Sequence, residues 1–99
     1  MAPPAIDGRP TWPFEPFYRF LYSSLPAWWT PTGILDVPAL SAELGITTEA
    51  IYKWLRRGKV TARRARELYE LSRRESNLAA LADSGEAPPS LEAFYAFAD

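Results

Sequence analysis

The sequence predicts a small all-α bundle of about five helices, and three observations carry this prediction. The chain contains ten prolines, but none lies within residues 39–87, so this stretch is free to be helical. Glycine interrupts the stretch at Gly45, Gly58 and Gly85, which divide it into pieces of helical length. Hydrophobic residues make up 47% of the 99 residues, which is enough for one modest core.

The N-terminal part combines proline with aromatic residues. Residues 1–13 are Pro-rich and are predicted to be irregular, and residues 14–25 are predicted to form a helix. Most of the aromatic residues lie between Trp12 and Trp29. They are expected to cap the core, and the alternative is a partner or dimer surface. Residues 26–31 are predicted to be a loop. The apolar residues on one face of the first helix are Phe17, Phe20, Leu21 and Leu25.

Two short helices are predicted next, each with its own start and stop signals. Asp36 is a good N-cap for the first, and Gly45 supplies its left-handed end. Thr47 is predicted to cap the second, residues 48–57, which Gly58 ends. The inward-facing residues of the second helix are predicted to be Ile51, Trp54 and Leu55.

The C-terminal half is predicted to hold two further helices. Thr61 caps the first of them, residues 62–74. Residues 84–90 read as a linker, and Ser90 caps a short final helix in residues 91–99. The predicted inner stripe of helix 62–74 consists of Ala65, Leu68, Tyr69 and Ser72.

This pattern divides the chain into three parts. They are a Pro-rich N-terminal segment (1–13), a domain that includes the aromatic helix (14–75), and an acidic linker with a short C-terminal helix (76–99). The formal net charge is −1, which points away from a nucleic-acid binder when the chain is taken whole. Its distribution is uneven, because residues 36–74 sum to +4 and residues 75–99 to −5.

The two helices that flank Gly45 meet the demands of a helix–turn–helix unit. Ser41 is small where the helices must cross, and Gly45 accepts the positive φ that the turn requires. Ile46 is the apolar residue that follows the turn, and Ile51 and Trp54 anchor the second helix. The agreement of these positions is more specific than an amphipathic helix pair alone.

The segment LSAELGITTEAIYKWLRRGKVTARRARELYEL resembles the Cro/repressor class of phage and prophage helix–turn–helix regulators (lambda-repressor/Cro-like). The resemblance covers residues 36–74, which is two-fifths of the chain. Ser41 stands where the family prefers alanine, and serine is also small.

The resemblance implies which residues contact DNA. In the family, the start and outer face of the second helix read base edges in the major groove. The residues that this places at base edges are Thr48, Glu49, Tyr52 and Lys53. Those implied at the phosphate backbone are Thr47, Arg56, Arg57, Lys59, Arg63 and Arg64. The alternative for such a basic face is a merely solvated surface.

The resemblance implies a sequence-specific DNA-binding transcriptional regulator that represses by occupying an operator in double-stranded DNA. A homodimer is expected, because one helix–turn–helix covers only a few base pairs. The dimer surface is expected in the aromatic N-terminal segment or in the C-terminal helix, through Leu91, Phe94, Tyr95 and Phe97.

Two alternatives stay open. One is a DNA-recognition subunit of a phage machine, such as a terminase small subunit or an excisionase-like factor. The other is a protein-binding adaptor or inhibitor on the same fold, suggested by the acidic tail and the many aromatic residues.

Enzymatic activity is the least supported reading. The chain has no Cys and no His, which removes disulfides, the commonest metal ligand and the commonest general base. We expect no catalytic residue, no metal and no cofactor. The sequence also lacks a long apolar run and a signal peptide. We therefore expect no membrane contact and a location in the cytoplasm of a bacterial host cell.

Overall fold

The structure, a computed structural model, describes residues 15–98 and confirms the all-α fold class. The helices of this range are α1 (Glu15–Ser24), α2 (Val37–Leu44), α3 (Thr48–Arg57), α4 (Ala62–Ser72), α5 (Glu75–Asp83) and α6 (Leu91–Tyr95). Segment 1–13 and Phe14, the predicted first residue of the first helix, lie outside the described residues. None of the helices between residues 15 and 98 combines the length and the apolar character needed to cross a bilayer.

The apolar side of α1 forms one wall of the core. Phe17, Leu21 and Leu25 are buried, as predicted, and Phe20 packs against the same core. Trp29 differs from them, because 36% of its surface is exposed. The described aromatic residues of this region therefore serve mainly to build the core, as the first of the two expectations predicts.

The predicted loop after α1 contains a short 3-10 turn, Pro26–Trp28. The indole N–H of Trp29 donates to the Tyr22 carbonyl oxygen at 2.7 Å, and the two rings stack with centroids 4.4 Å apart. An antiparallel bridge then pairs Trp29 with Leu35. These contacts fix the loop against α1 and set the direction in which the chain enters α2.

The helices α2 and α3 form the predicted helix–turn–helix unit. Asp36 caps α2, since its Oδ1 accepts from the Ala39 N–H at 3.1 Å. Gly45 ends the helix with φ +68°, and the Ile46 N–H donates to the Ser41 carbonyl oxygen at 3.0 Å. Ser41 is buried and Ile46 packs against the core. The capping residue, the turn glycine and the small buried residue are thus confirmed.

The cap of α4 is also confirmed, because Thr61 Oγ1 accepts from the Arg64 N–H at 3.3 Å. The helix ends at Ser72 rather than extending to residue 74. The chain turns there because α5 begins at Glu75 and packs back against the 3-10 turn. The predicted inner stripe is buried at Ala65, Leu68 and Ser72 and partly buried at Tyr69.

Helix α5 corrects the description of residues 76–99 as a linker followed by one short helix. Its local start signal is weak, since Arg74 at the N-cap position makes no side-chain capping bond. Tertiary contacts hold it instead, because Asn77 and Leu81 are buried. Residues 15–98 consequently contain one α-helix more than the sequence pattern predicts.

Helix α6 closes the core from the C-terminal side and packs on α4. Residues 84–90 contain no helix, as predicted, and Ser90 Oγ caps α6 by accepting from the Ala93 N–H at 3.2 Å. Only 2% of the Phe94 surface is exposed. The Phe97 ring lies 5.0 Å from the Phe17 ring, centroid to centroid.

These contacts correct one part of the expected dimer surface. Phe94 and Phe97 pack inside their own chain because α6 completes the core that α1 and α4 leave open. Of the C-terminal residues expected at the dimer surface, Tyr95 is exposed and Leu91 is half-buried. Phe94 is therefore not available to a second copy of the folded chain.

Candidate nucleic-acid interface

Helix α3 has one buried and one exposed side. Ile51 and Leu55 are fully buried, and Trp54 is 8% exposed. The side chains of α3 that are exposed are Glu49, Lys53, Arg56 and Arg57. The inward residues predicted from the spacing are confirmed, and the exposed set is mainly basic. Thr48 and Tyr52, which the pattern places on the outer side, are half-buried instead.

The first turn of α3 presents polar groups. Thr47 Oγ1 accepts from the Ala50 N–H at 3.2 Å, which confirms its capping role. A hydroxyl that accepts a hydrogen bond still has its own proton to donate, so the exposed Thr47 retains a donor. Thr48 is half-buried, and Glu49 is exposed beside it. A carboxylate is repelled by phosphates, so Glu49 suits a base-edge donor better than the DNA backbone.

Tyr52 lies at the border between the two sides of α3. Its side chain is half-buried and packs against the core. The protein therefore restricts the orientation of the ring, and only part of it faces outward. A fixed aromatic edge beside Lys53 is suited to an apolar contact such as a thymine methyl group.

The turn between α3 and α4 holds Lys59 outward. Gly58 ends α3 with φ +70°, and Lys59 is exposed. The next residue, Val60, is 2% exposed, and its N–H donates to the Phe97 carbonyl oxygen at 3.0 Å. The C-terminal segment thus fixes the turn from inside, which sets the direction of Lys59.

The start of α4 brings two of the predicted residues together. Arg63 and Arg64 both approach the carboxylate of Glu67, one turn further along the helix. The Arg64 Nη1 to Glu67 Oε1 distance is 2.6 Å, and the Arg63 Nε to Glu67 Oε2 distance is 3.7 Å. Arg64 was predicted at the DNA backbone, but in this structure its guanidinium is bound to a carboxylate of its own helix.

Sequence reasoning missed two residues that shape this surface. Glu67 lies three and four positions after the arginines, a spacing that signals helical ion pairs and could have identified it. Phe97 acts through its backbone carbonyl, which carries no sequence signal. Both determine how basic side chains are presented, although neither belongs to the basic set.

No protein family, curated protein or solved structure matches the chain in comparisons with known proteins.

Proposed function

We propose that the chain is a sequence-specific DNA-binding transcriptional regulator of the Cro/repressor type that acts in the cytoplasm of a bacterial host cell. The observation that carries the proposal is the two-sided character of α3. Ile51 and Leu55 are fully buried, whereas Lys53 and Arg56 on the same helix are exposed. The buried side therefore anchors α3, which fixes the backbone positions from which the basic side chains project, and base-edge contacts require such a positioned helix.

The dimensions of α3 suit the major groove. An α-helix with side chains is about 10–12 Å across, and the major groove is about 12 Å wide. The ten residues of α3 span about 15 Å at 1.5 Å per residue, which corresponds to about four base pairs at 3.4 Å each. Lys53 would donate to guanine, and Glu49 would accept from cytosine. Arg56, in the last turn of α3, and Lys59, in the turn that follows, would bind phosphates of the DNA backbone.

Such a short reading length supports a homodimer as the active form. Two copies on a near-palindromic site would place their α3 helices about 34 Å apart, one turn of DNA. The large apolar residues exposed in the described range are Trp29 and Tyr95. We expect one of these two surfaces to contribute to the dimer contact.

The two alternatives make different use of the same fold. A DNA-recognition subunit of a phage machine would use the same face of α3 and would assemble into a ring rather than a dimer. A protein-binding adaptor was suggested by the acidic tail and the aromatic residues. Most of those aromatic rings pack in the core, which leaves the acidic tail as its remaining support.

The proposal predicts two kinds of loss when α3 is altered. Lys53→Ala should weaken binding to a selected duplex by about 1–3 kcal/mol and relax the preference at one base pair. Arg56→Ala should weaken binding to every duplex. It should also make the dependence of log affinity on log salt shallower by about 0.9, because one phosphate contact is lost. Fluorescence anisotropy of labelled duplexes over a salt series measures both effects.

Arg73→Ala is the charge-matched control, since it removes an exposed arginine at the far end of α4. It also removes contacts with the Pro89 carbonyl and the Tyr69 ring, so circular dichroism must show that the variant folds. It should leave both the affinity and the salt slope at their wild-type values. Wild-type protein that fails to bind random duplexes at low salt would contradict the proposal. Equal losses in Arg56→Ala and Arg73→Ala would show that net charge, rather than the α3 surface, drives binding.

A further inference from the structure

The first turn of α4 places two cations where the helix itself disfavours them. The N-terminal end of a helix carries a partial positive charge, which favours acidic residues there. The first turns of α3 and α5 each contain a glutamate, Glu49 and Glu75. The first turn of α4 contains no acidic residue, and Arg63 and Arg64 stand there instead. Glu67 supplies the missing negative charge from the next turn.

The ion pairs of Glu67 with Arg63 and Arg64 differ in distance and in exposure to solvent. The bond from Glu67 to Arg64 is short, at 2.6 Å, and is a direct hydrogen bond between guanidinium and carboxylate. The side chains of this pair are only 27% and 29% exposed, so water screens the pair weakly. The contact with Arg63 is longer, at 3.7 Å, and 81% of the Arg63 side chain is exposed.

The difference decides which arginine can leave the carboxylate. An exposed and loosely held ion pair contributes little to stability, so a phosphate oxygen can replace Glu67 as the partner of Arg63. Separating the Arg64 pair leaves a half-buried carboxylate without its hydrogen bond, which is costly. The charge of Arg64 is consequently neutralised within the protein.

We propose that Glu67 divides the two arginines between separate roles: it retains Arg64 inside the protein and leaves Arg63 for a DNA phosphate. This inference rests on the proposed function, because it specifies which residues of that surface contact DNA. Glu67 is then a positioning residue that limits non-specific binding to DNA. Arg64 is removed from the set of DNA contacts.

The test measures the binding of each variant to a random duplex over a salt series. It compares the salt slope, which is the slope of log affinity against log salt concentration. Glu67→Gln removes the negative charge and leaves Arg64 only a weaker amide acceptor. Arg64 then becomes available for a second phosphate contact, so the variant should tighten binding and steepen the slope by about 0.9. Its advantage over the wild type should then shrink about 3.5-fold between 50 and 200 mM salt. Arg63→Gln should make the slope shallower by about 0.9. The double change Arg64→Gln with Glu67→Gln should keep the wild-type slope.

Glu86→Gln is the control, since it removes the same charge from an exposed position in residues 84–90. It should keep the wild-type slope. Equal slopes for Glu67→Gln and Glu86→Gln would overturn the inference. So would a slope for the double variant as shallow as that of Arg63→Gln. If Arg56→Ala makes the salt slope shallower and Glu67→Gln does not make it steeper, this inference fails while the proposed function stands.

A second measurement needs no DNA. In nuclear magnetic resonance spectra of the wild-type protein, the Arg64 guanidinium hydrogens should exchange slowly with water, and those of Arg63 should exchange fast. Glu67→Gln should narrow the difference, because an uncharged amide oxygen holds the guanidinium less tightly than a carboxylate does. Unchanged backbone signals would show that the variant folds. Equal exchange rates for the two arginines in the wild type would overturn the inference.

Discussion

The buried amide of Asn77 joins the end of the nearby α4 to the end of α1 and the 3-10 turn, which lie 50 or more residues earlier in the chain. Its Nδ2 donates to the carbonyl oxygens of Ser24 and Ser72, both at 2.9 Å, and its Oδ1 accepts from the Ala27 N–H at 3.0 Å. Ser24 and Ser72 are the last residues of α1 and α4, whose final carbonyls have no partner within the helix. One side chain thus satisfies two helix ends and the 3-10 turn.

Asn77→Ala should lower the free energy of unfolding by about 2–4 kcal/mol, because it leaves these buried groups without partners. Asn77→Asp keeps the acceptor and loses the donors, so it should destabilise the protein at least as much. Ser76→Ala, at the exposed neighbouring position, should change stability by about 0.5 kcal/mol or less. Urea unfolding measures all three, and equal effects at positions 76 and 77 would contradict the role of the amide.

Gly45 is required by its backbone conformation rather than by crowding. Its φ is +68°, and a Cβ added there would meet nothing within 4 Å. Gly45→Ala should therefore cost about 1 kcal/mol, from the left-handed backbone alone. Gly45→Asn should cost less, since asparagine tolerates this conformation. Thermal unfolding compares the variants, and equal losses for alanine and asparagine would show that the turn is under a different constraint.

The residues that sequence predicted well are those whose role is local. The caps Asp36, Thr47 and Thr61 act on N–H groups three residues away, so the printed order of residues contains the signal. Asn77 bonds to residues 50 and 53 positions away, and nothing near it in sequence marks this. The residues next to Asn77 in the sequence resemble those at the start of an ordinary exposed helix.

At the scale of elements, α6 is part of the core and not an appendage. Phe94 lies against Phe20 at 4.8 Å and against Tyr69 at 6.1 Å between ring centroids. The backbone bridge between Val60 and Ala98 ties the segment after α6 to the turn before α4. A variant that lacks the C-terminal residues would therefore lose core packing, and charge substitutions are the sound way to study the acidic tail.

Phe94→Ala should destabilise the fold by about 3–5 kcal/mol, the range for removing a buried aromatic ring. Tyr95→Ala removes a neighbouring ring that is 38% exposed, so its cost should be about 1 kcal/mol or less. Chemical unfolding of the two variants gives the comparison. A loss at position 95 as large as that at position 94 would mean that α6 packs differently.

The elements missed by the sequence pattern are those that depend on tertiary packing. Helices α2, α3 and α4 have strong caps and clear apolar stripes, so their existence and nearly all their bounds could be predicted. Helix α5 lacks a side-chain cap and buries Asn77 beside Leu81. Contacts with the 3-10 turn and with α4 stabilise α5. No pattern in the neighbouring residues reveals these contacts.

For the whole molecule, the even charge balance hides two regions of opposite sign. Residues 36–74 carry a net +4 and contain the exposed side of α3, whereas residues 75–99 carry −5. At physiological salt, charges further apart than about 8 Å are largely screened. The net charge of the chain, which averages these two regions, is therefore a poor guide to the local charge at the exposed side of α3.

Self-association is the whole-molecule prediction that separates the candidate functions. Light scattering at micromolar concentration should give the mass of a dimer, and Trp29→Ala or Tyr95→Ala should shift it toward the monomer. Tyr95→Ala should not unfold the chain, because the ring is 38% exposed. Trp29→Ala also removes the hydrogen bond and ring stack with Tyr22, so circular dichroism must show that this variant folds. A monomer at all concentrations would contradict the dimer, and a ring-sized particle would favour the phage-machine alternative.

Selection of bound duplexes from a random DNA pool tests the central claim most directly. The wild-type protein should enrich a near-palindromic motif with half-sites about 34 Å apart. Lys53→Ala should lose the preference at one position of each half-site, and Arg73→Ala should return the wild-type motif. A pool that stays random after repeated selection with the wild-type protein would contradict the claim that α3 reads DNA sequence.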